Sequence, residues 1–322
     1  MKKAKNSNLM KWLKWGGLAL VAIILVLAVV PFFISLNDYI ARIEQEVSAR
    51  IMEPVKIESV RAGGLPLPHL TVTGITVGKT DDLQVGKVTV TPSRLSLLRP
   101  TRVIRSIEID RLVVTQKAIH RLAALAPAGR ASGASAEPQA VRVESIQLTG
   151  AVLKLEKASL GPLDARLSLD AAGNLESALL TTADGRLKVH VKPEGARYLI
   201  EADARGWTLP VGAALVFDEL NVKGVATTQD ATFSEVRAKL YGGTATGNVH
   251  LAWQKGMQLK GSAEIRQVEI GSLLQALGKP KSMTGRLTAD PEFSAAAASA
   301  AMLADALRLG SPFDVQSRVL HG

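Results

Sequence analysis

A charge-free, strongly apolar run from Trp15 to Asn37 constrains this chain more than any other feature. Lys14 precedes it and Asp38 follows, so 23 consecutive residues carry no charge. At about 1.5 Å per helical residue, the run crosses a hydrocarbon core roughly 30 Å thick with a little to spare. It predicts a transmembrane helix over residues 15–37, which Pro31 kinks near the outer end without terminating.

The leading residues 1–14 carry Lys2, Lys3, Lys5, Lys11 and Lys14 and no acid, whereas DYIARIEQEVSAR beyond the run mixes Asp38, Glu44 and Glu46 with Arg42 and Arg50. The positive-inside rule makes residues 1–14 a cytoplasmic basic tail and sends the rest of the chain across the membrane. The rival reading is a cleaved signal peptide, which needs an apolar region of about 7–15 residues and a small-x-small cleavage site. This run is longer and leaves through PFFISLNDY, without an A-x-A pattern. A retained anchor is the expectation.

With no cysteine in 322 residues, neither a disulfide framework nor a thiolate metal site can form. An oxidising bacterial periplasm suits such a chain. Half of the +10 net charge sits on the five N-terminal lysines, and aromatic residues are only 4 %. No Lys/Arg cluster is interleaved with them, so nucleic-acid binding by phosphate contact and base stacking is poorly supported.

After the run, Ile40, Ile43, Val47 and Ile51 recur at intervals of three and four, which marks one apolar face of a helix. The helix either caps the next domain or lies on the membrane. Capping is favoured, because Lys and Arg are not enriched on its polar face as interfacial helices prefer. Pro54 sets its limit.

From Val55 the texture changes to short alternating runs. TVTGITVG, LQVGKVTVTP, ARLSLD, RLKVHVKP and TGNVHLAW place apolar residues at every second position over at least part of their length. Asp184-Gly185, Gly242-Gly243 and Gly256 mark turns between them. Roughly fifteen such segments predict a mostly β body. A loose repeat runs through VIRSIEIDRLVVTQ from Val103, VRVESIQLTGAVLKLE from Val141 and VFDELNVKGVATT from Val216. Each copy reads as a strand, a polar or Gly break and a second strand-like run, at irregular spacing.

Two interruptions complete the domain plan. Residues 124–140, ALAPAGRASGASAEPQA, read as a linker or long loop. They separate a helix-plus-β region at 38–123 from a β-rich region at 141–292. Residues 293–322 form an Ala-rich C-terminal segment in which 295–309 suit a helix.

No catalytic constellation can be assembled. His69, His120, His190, His250 and His321 are scattered, and none stands in an H-E-x-x-H or other metal-ligand spacing. His190 and His250 read as ordinary strand positions. There is no G-x-S-x-G elbow, P-loop or dinucleotide fingerprint, and GGTATG at Gly242 reads as a turn between strands. The expectation is a protein that is not an enzyme, with no catalytic, cofactor-binding or metal-binding residues and no cofactor.

The apolar run, PVKIESVRAGGLPLPHLTVTGITVG, and the later KLYGGTATGNVHLAW and GSAEIRQVEIGSLLQALGKPKSMTGRLTA together carry a resemblance. The chain resembles the AsmA family of bacterial envelope proteins, which start with one inner-membrane helix. Members carry a late segment pairing an L-Y-G-G turn with strands, a short helix and a closing Gly. Here those are Leu240 to Gly243, Gly247, Ile270 to Leu277 and Gly285, while the middle of the chain agrees only in texture. The resemblance implies a single-pass inner-membrane protein whose bulk is periplasmic. It also implies a curved, repeat-like antiparallel sheet forming an apolar groove, with a few short helices, related to bridge-like lipid-transfer proteins. Phospholipid transport or outer-membrane assembly is the implied role, with the inner membrane, phospholipid and an envelope protein as implied partners. Fifteen strands at about 4.8 Å each give a groove on the order of 70 Å, short for a bridge across the periplasm.

Alternation itself says only that one sheet face must meet something apolar. A second sheet or a helix closes it into a sandwich; lipid leaves it an open groove. The first reading predicts a scaffold or assembly factor without a lipid ligand, and the second predicts a lipid carrier with inward-facing residues such as Val249.

Overall fold

In the computed structural model the described residues are 37–63, 69–78, 82–93, 102–115, 118, 141–155, 159–210, 213–254, 256–297, 302, 306 and 308–310. Residues 15–36 of the expected transmembrane helix, the basic tail, the 124–140 linker, His120 and His321 lie outside them. Among the described residues no helix is long and apolar enough to cross a membrane.

The Ile/Val spacing after Asn37 folds as helix α1 (Asn37–Ile51), which stops before Pro54. Its apolar face does not lie open. Ile43 and Val47 are buried at 3 % and 2 % exposure, and Ile40 packs against the same cluster. Capping is therefore the role the helix takes. Two hydrogen bonds fasten it to the next strand, Val55 N to Ser48 Oγ at 2.9 Å and Ile57 N to Glu44 Oε1 at 2.6 Å.

Alternating sequence then becomes strand almost without exception. The described chain forms two compact units, one from the described residues within Lys11–Leu155 with Leu160–Ala183, the other centred on Asp184–Gly322. The strands flanking residues 124–140 thus belong to one unit.

The first unit holds β1 (Val55–Gly63), β2 (His69–Val77), β3 (Leu83–Pro92), β4 (Arg102–Thr115), β5 (Val141–Lys154), β6 (Ser159–Leu169) and β7 (Leu175–Thr182), neighbours in chain order. The expected all-antiparallel sheet needs one correction: β4 and β5 pair in parallel. Hairpins cannot connect parallel neighbours, because the chain must first travel back along the strand. Fourteen residues of strand are about 46 Å long.

The parallel pair also explains the repeat. The copies at Val103 and Val141 lie side by side in register, with Ser106 against Ser145, Ile107 against Ile146 and Ile109 against Leu148. The polar break inside each copy does not separate two strands, as the sequence suggests. It is a transverse line crossing five strands without loss of register. On one side inward residues are Ile57, Ile75, Val85 and Leu112; on the other they are Val60, Val72, Val88 and Ile109. Between these rows every strand carries an odd residue (Glu58, Gly74, Gly86, Arg111 and Gly150), so the inward parity flips in all five together. Gly74, Arg111 and Gly150 take φ values of 63°, 54° and 65° there. Gly86 leaves room for its neighbour, since a Cβ would stand 2.8 Å from Arg111 Nε.

The second unit holds β8 (Leu187–Glu194), β9 (Arg197–Thr208), β10 (Val216–Ala226), β11 (Asp230–Leu240), β12 (Gly243–Ala252), β13 (Met257–Glu269), helix α2 (Ile270–Ala276), β14 (Arg286–Ala289), β15 (Glu292–Ala297) and β16 (Arg308–Gly310). Their order is β8 to β13, then β15 and β16, with β14 also on β13. These ladders are antiparallel. The expected turns form, with Gly242 at φ 73° between β11 and β12 and Gly256 at φ 83° between β12 and β13. Part of the Ala-rich segment is a correction. Ala295–Ala297 belong to β15 and pair with Met257 to Leu259, so a waiting β-edge overrides alanine's helix preference.

Candidate functional site

In the second unit, strict alternation puts opposite chemistries on the two faces of one sheet. The register aligns inward residues into rows that run across six strands. One row reads Val191, Ile200, Gly224, Phe233, Val249 and Gly261; the next reads Val189, Ala202, Val222, Val236, Gly247 and Ala263. Rows through Leu187, Ala204, Leu220, Ala238, Ala245 and Ile265, and through Pro193, Tyr198, Ala226, Ala231, Leu251 and Leu259, flank them. None of these side chains is charged. Six strands and four rows make a patch about 24 Å by 20 Å, on the order of 500 Å². That is the upper range of apolar patches on ordinary monomers, where such patches tend to be functional.

Little of the described chain lies over it. The valines, leucines and isoleucines of all four rows remain half-buried, and within the rows only alanines are fully buried. Helix α2 closes one end. Its Leu273 packs into a small cluster with Phe217, Leu220, Ala238, Leu240, Ala245, Ile265 and Val268. Glu269 holds that helix in place, accepting from Gly271 N at 2.9 Å and Ser272 N at 2.6 Å. A side-chain hydrogen bond from Ser272, and after it the backbone bonds from Ser272 and Gly271, hold its carboxyl below the usual glutamate range.

Aromatic residues shape the surface where glycine makes room. A Cβ on Gly224 would stand 2.7 Å from Phe233 Cδ1, and one on Gly261 would stand 2.8 Å from Phe293 Cε2, so both rings lie across glycine backbone. Trp207 and Phe217 stack at 6.2 Å between ring centres, 18° from parallel. Sequence reading picked out Val249, which the structure places on this face between Phe233 and Gly261. It missed Phe233 and Phe293. The signal was the strand-interior glycine two residues or more from any turn, which marks a close approach by something else.

The opposite face is polar and charged. His190 faces Glu201 across the ladder, and His250 Nδ1 lies 2.9 Å from Thr232 Oγ1, so both histidines hold ordinary outward strand positions. His69 begins β2 opposite Gly63. Lys239 Nζ meets Glu219 at 2.8 Å and pulls that carboxyl's pKa down, first through the hydrogen bond and then through charge. Asn221 Nδ2 donates to Asp203 at 2.5 Å, and Lys223 lies 3.9 Å from Glu201. Among the described residues no three His, Asp or Glu side chains converge as a metal site.

An uncharged, half-open apolar face backed by a charged one can hold hydrocarbon, with affinity set by area rather than by directional bonds. No family model, curated protein or solved structure matches the chain.

Proposed function

We propose that this chain is a single-pass inner-membrane protein of the bacterial envelope whose periplasmic β body holds phospholipid acyl chains, acting in phospholipid transport or outer-membrane assembly. The observation that carries the reading is the apolar face of β8–β13, charge-free across four rows and left half-open by α2. The charge-free Trp15–Asn37 run supports an anchor that keeps this face near a lipid source. The resemblance to AsmA proteins points the same way. A second reading, a scaffold that binds an envelope protein without lipid, is favoured by the first unit alone, whose inward residues form a closed core.

Site-directed photo-crosslinking of the full chain in cells tests the choice. A benzoyl-bearing phenylalanine analogue at Val222 or Val249 should capture phospholipid, and the same group at Lys223 or His250 on the polar face should not. Protein adducts at Val222 and Val249, with no lipid, would overturn the carrier reading in favour of the scaffold.

A further inference from the structure

The loop beyond α2 combines three features that the sheet does not explain. Residues 277–284 are exposed without interruption, and within them Leu277 and Met283 each present 47 % of their surface to solvent. The twenty residues from Ile270 to Ala289 contain no acid, whereas Lys279, Lys281 and Arg286 supply three positive charges. The segment is also closed at its base, where Ile270 N donates to Gly285 O at 3.0 Å and Glu269 stands opposite Arg286 in the β13–β14 ladder. It therefore projects as a built loop with a fixed stem. Inside, Leu277 N to Leu273 O at 3.0 Å and Lys279 N to Leu274 O at 2.8 Å tie the tip to the helix.

Two of its three charges are not spent on internal pairs. Lys281 lays its stem along Gly271, where a Cβ would come within 2.6 Å of Cε, and its ammonium acts on Glu269. Lys279 and Arg286 have no ion-pair partner among the described residues. Exposed Leu and Met flanking two lysines suit a phospholipid bilayer: the apolar tips enter the acyl boundary while the ammonium groups meet anionic headgroups.

We infer that residues 277–284 are a membrane-contact loop that docks on anionic phospholipid bilayers. The inference deepens the proposed lipid-binding reading, because α2 joins this loop to the end of the apolar face, and a docked loop would set that end against a lipid source. The docking surface is the loop itself, and the occupant is a bilayer carrying anionic lipid.

The absence of cysteine makes the test clean. The full chain with Ser282→Cys carries an environment-sensitive fluorophore, is placed in nanodiscs of neutral phosphatidylcholine, and is mixed with vesicles containing a lipid-borne quencher. Vesicles with about 30 % phosphatidylglycerol should quench and blue-shift the label, and neutral vesicles should do so far less. Lys279→Glu with Lys281→Glu should weaken the response at least tenfold, and about 0.5 M salt should suppress it. Leu277→Ser with Met283→Ser should abolish the blue shift while leaving the β-type circular dichroism unchanged. A label at Asn221 on the polar face serves as control. No quenching by anionic vesicles, or quenching equal in the Lys→Glu variant, overturns the inference. Lipid crosslinking at Val249 is read separately. Crosslinking without docking sinks the loop alone, and docking without crosslinking sinks the carrier reading alone.

Discussion

The two units start from the same period-2 sequence and end in different states. In the first, Val72, Val88 and Ile107 are at most 2 % exposed, and α1 contributes Ile43 and Val47 to one continuous core. In the second, Val189, Val222 and Val249 occupy equivalent inward positions and stay half-buried, with the short helix α2 at one end. Inward residues also differ in size. The first unit uses Val, Ile and Leu almost throughout, whereas the second intersperses Ala202, Ala263, Gly224, Gly247 and Gly261. Small residues leave less to bury and more room above the sheet. Alternation therefore fixes which face is apolar, while side-chain size and the presence of a helix decide whether that face becomes a core or a surface.

The largest expected effect separates the units by stability. Ile107→Ala should cost about 2–5 kcal/mol in chemical denaturation of the first unit, through lost burial and a residual cavity. Val249→Ala should cost about 1 kcal/mol or less, because its side chain is already half in water. Equal costs would erase the contrast between core and surface. Next, Val47→Ala removes two buried methyl groups from the capping helix and should cost about 2 kcal/mol, read as lower amide-exchange protection in α1 and β1. Unchanged protection there would mean the helix does not close the first unit.

Gly247→Ala sharpens the account of the open face. A Cβ at Gly247 would collide with Ser262 O and stand 3.0 Å from Ala263 Cα, so the ladder between β12 and β13 must shift. The expected result is about 1–3 kcal/mol of destabilisation, with lost exchange protection confined to those strands. A neutral substitution would mean that the close strand approach is not required.

The smallest effect concerns α2. Glu269 has a lowered folded-state pKa, so its capping contribution is fully present above the ordinary glutamate value of about 4.3 and is lost as pH falls through the lower folded value. Protection factors for residues 271–277 should therefore drop as pH falls below the ordinary glutamate value, and Glu269→Gln should flatten that dependence. A drop that persists in the Gln variant would assign the transition to another group.

Much of this was legible in the chain. The helix at Ile40–Ile51 and its stop before Pro54, the alternating strands and the glycine turns all follow from spacing and turn chemistry. What periodicity hid was the parallel β4–β5 pair, because alternation is the same in parallel and antiparallel ladders. The transverse parity flip was read as a gap between strands, since Gly150 and the polar pair Asp110-Arg111 look like turn residues when seen one strand at a time. Phe233 and Phe293 escaped notice because their meaning lies in the glycines of neighbouring strands, which only register reveals.

Native mass spectrometry of residues 37–322, purified from bacterial periplasm without detergent, tests the central claim most directly. The account predicts a mass increment of bound phospholipid that disappears in a Val222→Asp, Val249→Asp variant with unchanged β content. An unliganded mass on the well-folded wild-type protein would contradict it.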